Sequence, residues 1–133
     1  MQNLEEAEKI HFDNFKRTAT TDDINYVSVR FFYADNFYKK SLVDIALAIV
    51  NFQNKLNTNV LIKLDHAEKN IDMGIKFIEQ LQNDLNTTGK IKYISARQIV
   101  NIQVAEGNYK NLKEFIIVSR NRLQKGLSPS FVQ

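Results

Sequence analysis

Eight residues decide most of what this chain can become: Val60, Leu64, Ala67, Ile71, Gly74, Ile78, Leu81 and Leu85 stand alternately four and three positions apart. A strand repeats every two residues and a helix about every 3.6, so a four-three alternation sustained over more than three heptads is a helix seam. The spacing predicts a helix over 58–86, ended at "NTTGK", where Gly89 and its polar neighbours supply the turn.

A second long helix is expected over 95–124. Ser95 followed by Gln98 has the spacing of a capping box, Ile94 and Ile99 that of a hydrophobic staple, and Gly126 after Lys125 that of a left-handed C-cap. Its seam runs Ile102, Ala105, Tyr109, Leu112, Ile116, Ser119, Leu123. Upstream, Ile24, Val27, Phe31, Ala34 and Tyr38 repeat at helical spacing and, after a one-residue slip, Leu42, Ile45, Ile49, Phe52 and Leu56 continue them. That predicts a helix over 22–56 with Thr21 as N-cap; a strand across "NYVSVRFFY" and a helix restarted at "SLVD" is the alternative. Leu4, Ala7, His11 and Phe15 give a shorter helix over 3–17. Four helices on short links predict an all-α fold, an antiparallel four-helix bundle forming one domain over 1–126, with a flexible tail at 127–133.

The only proline is Pro129, so nothing interrupts these helices, and with no cysteine there is no disulfide or thiolate chemistry. "MQNLEEAEKI" does not read as a signal peptide and the most apolar run, Leu42 to Val50, contains Asp44 and is too short for a membrane span. A soluble cytoplasmic protein is the expectation.

Catalytic patterns are missing. "EKIH" sets Glu8 and His11 three apart, as in carboxylate-bridged di-metal bundles, but no second such pair exists. His66 is the only other histidine, neither histidine accompanies a nucleophile turn, and the four glycines form no phosphate loop. The expectation is a protein that is not an enzyme, with no metal and no cofactor.

The net charge of +3 is unevenly spread: residues 89–133 hold eight basic and two acidic side chains. Lys110, Lys113 and Arg120 share one flank of the last helix, and Lys92 joins them if the helix runs back that far. With Arg97 and Arg122 they are the candidate nucleic-acid contacts, Tyr93 or Tyr109 supplying a base-stacking ring and Asn101, Asn108 and Asn111 hydrogen bonds. Against a phosphate row, Glu106 lies in the same arc and can pair with Lys110. Two helices also carry more apolar surface than one core uses. Val29, Phe32, Val43, Leu47 and Val50 form a second stripe on helix 22–56; Ile99 and Ile117 flank the last helix on one side, Val100 and Val118 on another. Such stripes predict an oligomer interface. Gly107, which costs a helix interior roughly 0.5–1 kcal/mol relative to Ala, suggests close packing, inside the bundle or between subunits.

From "KYISARQ" through "AEGNYKNLKEFI" the chain resembles the accessory variability (Avd) proteins of diversity-generating retroelements, which share a four-helix bundle with the ribosomal intervening-sequence proteins. Lys92, Tyr93, Ile94, Ser95, Gln98 and Glu106 carry the match, with "SLVDIALAIV" and Ile71 to Leu85 as the preceding helices. The chain departs from that family in having no Phe-Pro-Lys before its second helix, and Leu112, Lys113, Glu114, Phe115 where a Gly-Gly-Trp is usual. The resemblance implies a ring-like homo-oligomer, commonly a pentamer, that binds RNA or DNA and a reverse transcriptase without catalysis of its own. The residues alone leave a second expectation open: a protein-interaction or structural module, such as a phage or assembly component, with no nucleic-acid binding.

Overall fold

The computed structural model describes residues 2–18, 20–87 and 89–129. Helices α1 (Gln2–Arg17), α2 (Tyr26–Gln53), α3 (Asn57–Asn86) and α4 (Ala96–Gln124) pack as an all-α four-helix bundle, with no strand among the described residues. "NYVSVRFFY" therefore enters α2, its β-branched and aromatic residues overridden by burial along a helical face.

Small side chains bring α2 and α3 together. Ala34, Ser41 and Ala48 of α2 and Ala67 and Gly74 of α3 are all buried. A Cβ on Gly74 would stand 3.3 Å from the Ala34 carbonyl oxygen, so the two backbones meet closely there and a larger residue would have to push them slightly apart. The expected slip at Leu42 does not occur: Leu42 is 40% exposed and the seam passes through Ser41, whose hydroxyl donates to the Ala67 carbonyl at 2.8 Å. A buried hydroxyl satisfied in this way behaves as a small core residue.

The start of α2 is later than the spacing suggested. Residues 22–25 form turns in which the Asp23 carbonyl accepts from Tyr26 N–H and the Asp23 carboxylate accepts from Asn25 N–H at 2.7 Å. Those bonds satisfy donors that a helix from residue 22 would have used, Asn25 rather than Thr21 takes the N-cap position, and Ile24 is left 69% exposed. At its other end α2 stops at Gln53, and Lys55 adopts a positive φ of 62° in the link to α3. Leu56 is exposed rather than seamed.

The ends of α4 form as expected. Gln98 N–H donates to the Ser95 hydroxyl at 3.1 Å, and Ser95 N–H donates to the Gln98 side chain at 2.9 Å. At the far end Gly126 has φ +76°, with Gly126 N–H donating to Leu123 and Leu127 N–H to Arg122, the two bonds of a Schellman motif. The tail expected beyond 126 lies outside the described residues from 130 onward; before that, Pro129 is buried and Arg122 Nε donates to the Ser128 carbonyl at 2.6 Å.

α1 and α4 occupy opposite flanks of the α2–α3 pair. On one flank Phe15 meets Tyr33 and Phe77 with ring centroids 5.1 and 5.7 Å apart, and Lys40 pairs with Glu8 at 2.6 Å. On the other, Tyr109 stacks on Tyr38 at 4.8 Å and donates to the Asp35 carboxylate at 2.9 Å. α1 is roughly 24 Å long against roughly 42 Å for α2. None of its described side chains is fully buried.

Candidate functional site

The basic flank of α4 faces an acidic stripe on α3. Because the two helices run antiparallel, carboxylates ascending α3 meet cations descending α4. Arg120 reaches Asp65 at 3.1 Å and Glu68 at 2.6 Å, Lys113 reaches Asp72 at 2.7 Å, and Lys110 lies 3.5 Å from Glu79 and 3.7 Å from Glu106. The hydrogen bond from Arg120 holds the Glu68 carboxyl below its ordinary range despite some desolvation, and the bond to Asp72 raises the Lys113 ammonium. Three of the six candidate phosphate contacts are thus already neutralised within the chain.

The other three are dispersed. Since α4 begins at Ala96, Lys92 sits in the preceding loop and does not extend the row: its N–H donates to the Thr21 carbonyl at 3.4 Å and its ammonium lies 5.5 Å over the Tyr93 ring. Arg122 is tied to Ser128, while Arg97 is exposed and has no ion-pair partner among the described residues. Tyr109 is 1% exposed and holds the core, which removes it as a base-stacking ring; Tyr93, 43% exposed, remains available.

The candidate oligomer residues divide in two. Phe32 and Val50 are about half exposed on α2 and Ile99 lies exposed on α4, whereas Val29, Val43, Leu47 and Ile117 are partly buried. Phe32 stacks on His11 of α1 at 6.1 Å. A further set was only half visible in the sequence: Val100, Val104 and Val118 on the outer face of α4 are 55%, 55% and 42% exposed. Gly107 lies among them with nothing within 4 Å of the place a Cβ would occupy, so close packing inside the bundle is not its role.

Other arrangements offer little chemistry. Glu8 is committed to Lys40, and burial followed by the charge of Lys39 pushes the His11 imidazole below its ordinary value. Among the described residues no group of three or more His, Cys, Asp or Glu is placed to hold a metal ion. A cleft of about 380 Å³ between α1, α2 and α3 contains Arg30 and Asp84, but each already has partners within the chain. Tyr26 donates to Asp84 at 2.6 Å, Lys90 pairs with Asp84 at 2.7 Å, and Arg30 donates to the Thr18 carbonyl while lying over the Tyr26 and Phe15 rings. Two carboxylate contacts went unread in the sequence: partly buried Asp35, which accepts from Tyr109, and buried Asp44, 2% exposed, accepting from Asn70 at 2.8 Å.

Among the described residues no helix is long and apolar enough to cross a membrane. The fold is a small all-α four-helix bundle with apolar and charged residues on its outer helix faces. No protein-family model, curated protein or solved structure matches the chain.

Proposed function

We propose that this chain is a non-enzymatic, self-associating helical bundle that works as a protein-interaction or assembly module. One observation carries the reading: half-exposed Phe32 and Val50 on α2, and Val100, Val104 and Val118 on α4, place apolar surface on two solvent faces. Apolar stripes aligned along helices, rather than scattered singly, are the kind of surface that a partner covers. A light-scattering mass above 15.4 kDa is the expected result, falling towards that value when Phe32 and Val104 are both changed to Asp. A chain that stays monomeric across the micromolar range overturns the reading.

Nucleic-acid binding, with a reverse transcriptase as partner, ranks second. Lys92, Arg97 and Arg122 favour it because they have no carboxylate partner among the described residues, but Lys110, Lys113 and Arg120 would have to give up α3 partners to reach phosphate. A salt-sensitive mobility shift with RNA or DNA that disappears in Lys92→Glu with Arg97→Glu would put this reading first.

A further inference from the structure

We infer that α4 pairs with the α4 of a second copy of this chain, antiparallel and two-fold symmetric, with Val104 of each copy seated over Gly107 of the other. The inference rests on the self-association reading and names its surface.

Three observations on the outer face of α4 converge. First, Val100, Val104, Gly107, Asn111 and Val118 follow a four-three spacing of their own, with one step of seven, on the side opposite the buried seam Ile102, Ala105, Tyr109, Ile116. A heptad pattern on a solvent face is what a helix partner requires and what a solvated face does not. Second, Gly107 leaves open space in that stripe that no described residue fills, and an interfacial glycine lets a facing helix approach closely. Third, the charges flanking the stripe are complementary to themselves. Arg97 and Glu114 are exposed and without ion-pair partners among the described residues, unlike Lys110, Lys113 and Arg120 on the α3 side.

One axis satisfies all three. A two-fold axis passing between Ala105 and Glu106 in an antiparallel pair sets Val104 against Gly107 and Arg97 against Glu114, each contact occurring twice. Asn111 then meets Val100, a polar group within an apolar seam of the kind that fixes register in paired helices. A parallel pair would instead set Arg97 against Arg97 and Glu114 against Glu114. The opposite charges therefore select the antiparallel orientation.

The test is sedimentation equilibrium on the intact chain and three variants. Gly107→Leu adds a good helix former to an open site, so the circular dichroism is expected to persist while the dissociation constant rises by about tenfold or more. Arg97→Glu is expected to weaken association, and Arg97→Glu with Glu114→Arg to restore it. Association that is unchanged in Gly107→Leu, or a double variant no tighter than Arg97→Glu alone, overturns the α4 pairing. If the same preparations then dissociate on Phe32→Asp with Val50→Asp, self-association through α2 stands without it. A monomeric wild type overturns the pairing and the reading beneath it together.

Discussion

Arg120 grips Glu68 with both terminal guanidinium nitrogens, at 2.6 and 3.2 Å, and thereby clamps the last part of α4 to the first half of α3. The bond lowers the Glu68 pKa from its ordinary 4.5, so the folded chain binds fewer protons there than the unfolded one. The stabilisation is complete above that ordinary value and is lost as pH falls through the lower folded value. Melting temperature followed from about pH 6 to pH 3 should fall, and should fall less steeply in Glu68→Gln. Equal slopes in the two proteins would show that the bridge is thermodynamically silent.

Tyr109 is buried between α2 and α4, and burial, then the charge of Asp35, drives its hydroxyl well above the ordinary tyrosine range. Its ionisation should be absent from an absorbance titration until alkali unfolds the chain. Tyr109→Phe keeps the ring stack on Tyr38 but removes the bond to Asp35, and should cost about 1–2 kcal/mol in urea unfolding.

Gly74 and Gly107 should respond oppositely to the same substitution. Gly74→Ala must push on the Ala34 carbonyl, a backbone atom that can yield only if α2 and α3 move apart, and should destabilise by about 1 kcal/mol or more after the helix-propensity gain. Gly107→Ala meets nothing and should stabilise the dilute chain by roughly 0.5–1 kcal/mol. Parallel thermal melts at low concentration decide both.

The start of α4 depends on one hydroxyl. Ser95→Ala removes the acceptor for Gln98 N–H and half of the reciprocal box, and should cost about 1 kcal/mol. The loss should appear as faster amide exchange confined to the first turn of α4.

Helix number and type were readable because α3 and α4 have unbroken seams and α4 has explicit signals at both ends. The start of α2 was not, since Asp23 can serve a first turn or a tight turn, and only the Asn25 bond decides between them. The Ser41 position was hidden because a serine in an apolar run looks like a break until the Ala67 carbonyl is placed beside it. The partners of the charged face were hidden for a related reason. Lys110, Lys113 and Arg120 were seen on one helix, but their meaning lay in the matching spacing of Asp65, Asp72 and Glu79 on another. Antiparallel pairing of α3 and α4 makes that match legible; counting charge by segment does not.

The shortness of α1 makes the bundle uneven in thermodynamic depth. A helix with no fully buried side chain among its described residues, held by a ring cluster and the Glu8–Lys40 bridge, can detach at less than the cost of global unfolding. What remains is a three-helix unit still closed by α4, with the Tyr33, Phe37 and Phe77 rings newly bared to solvent. The α1 flank thus holds aromatic surface in reserve, which the native state conceals behind its least anchored element.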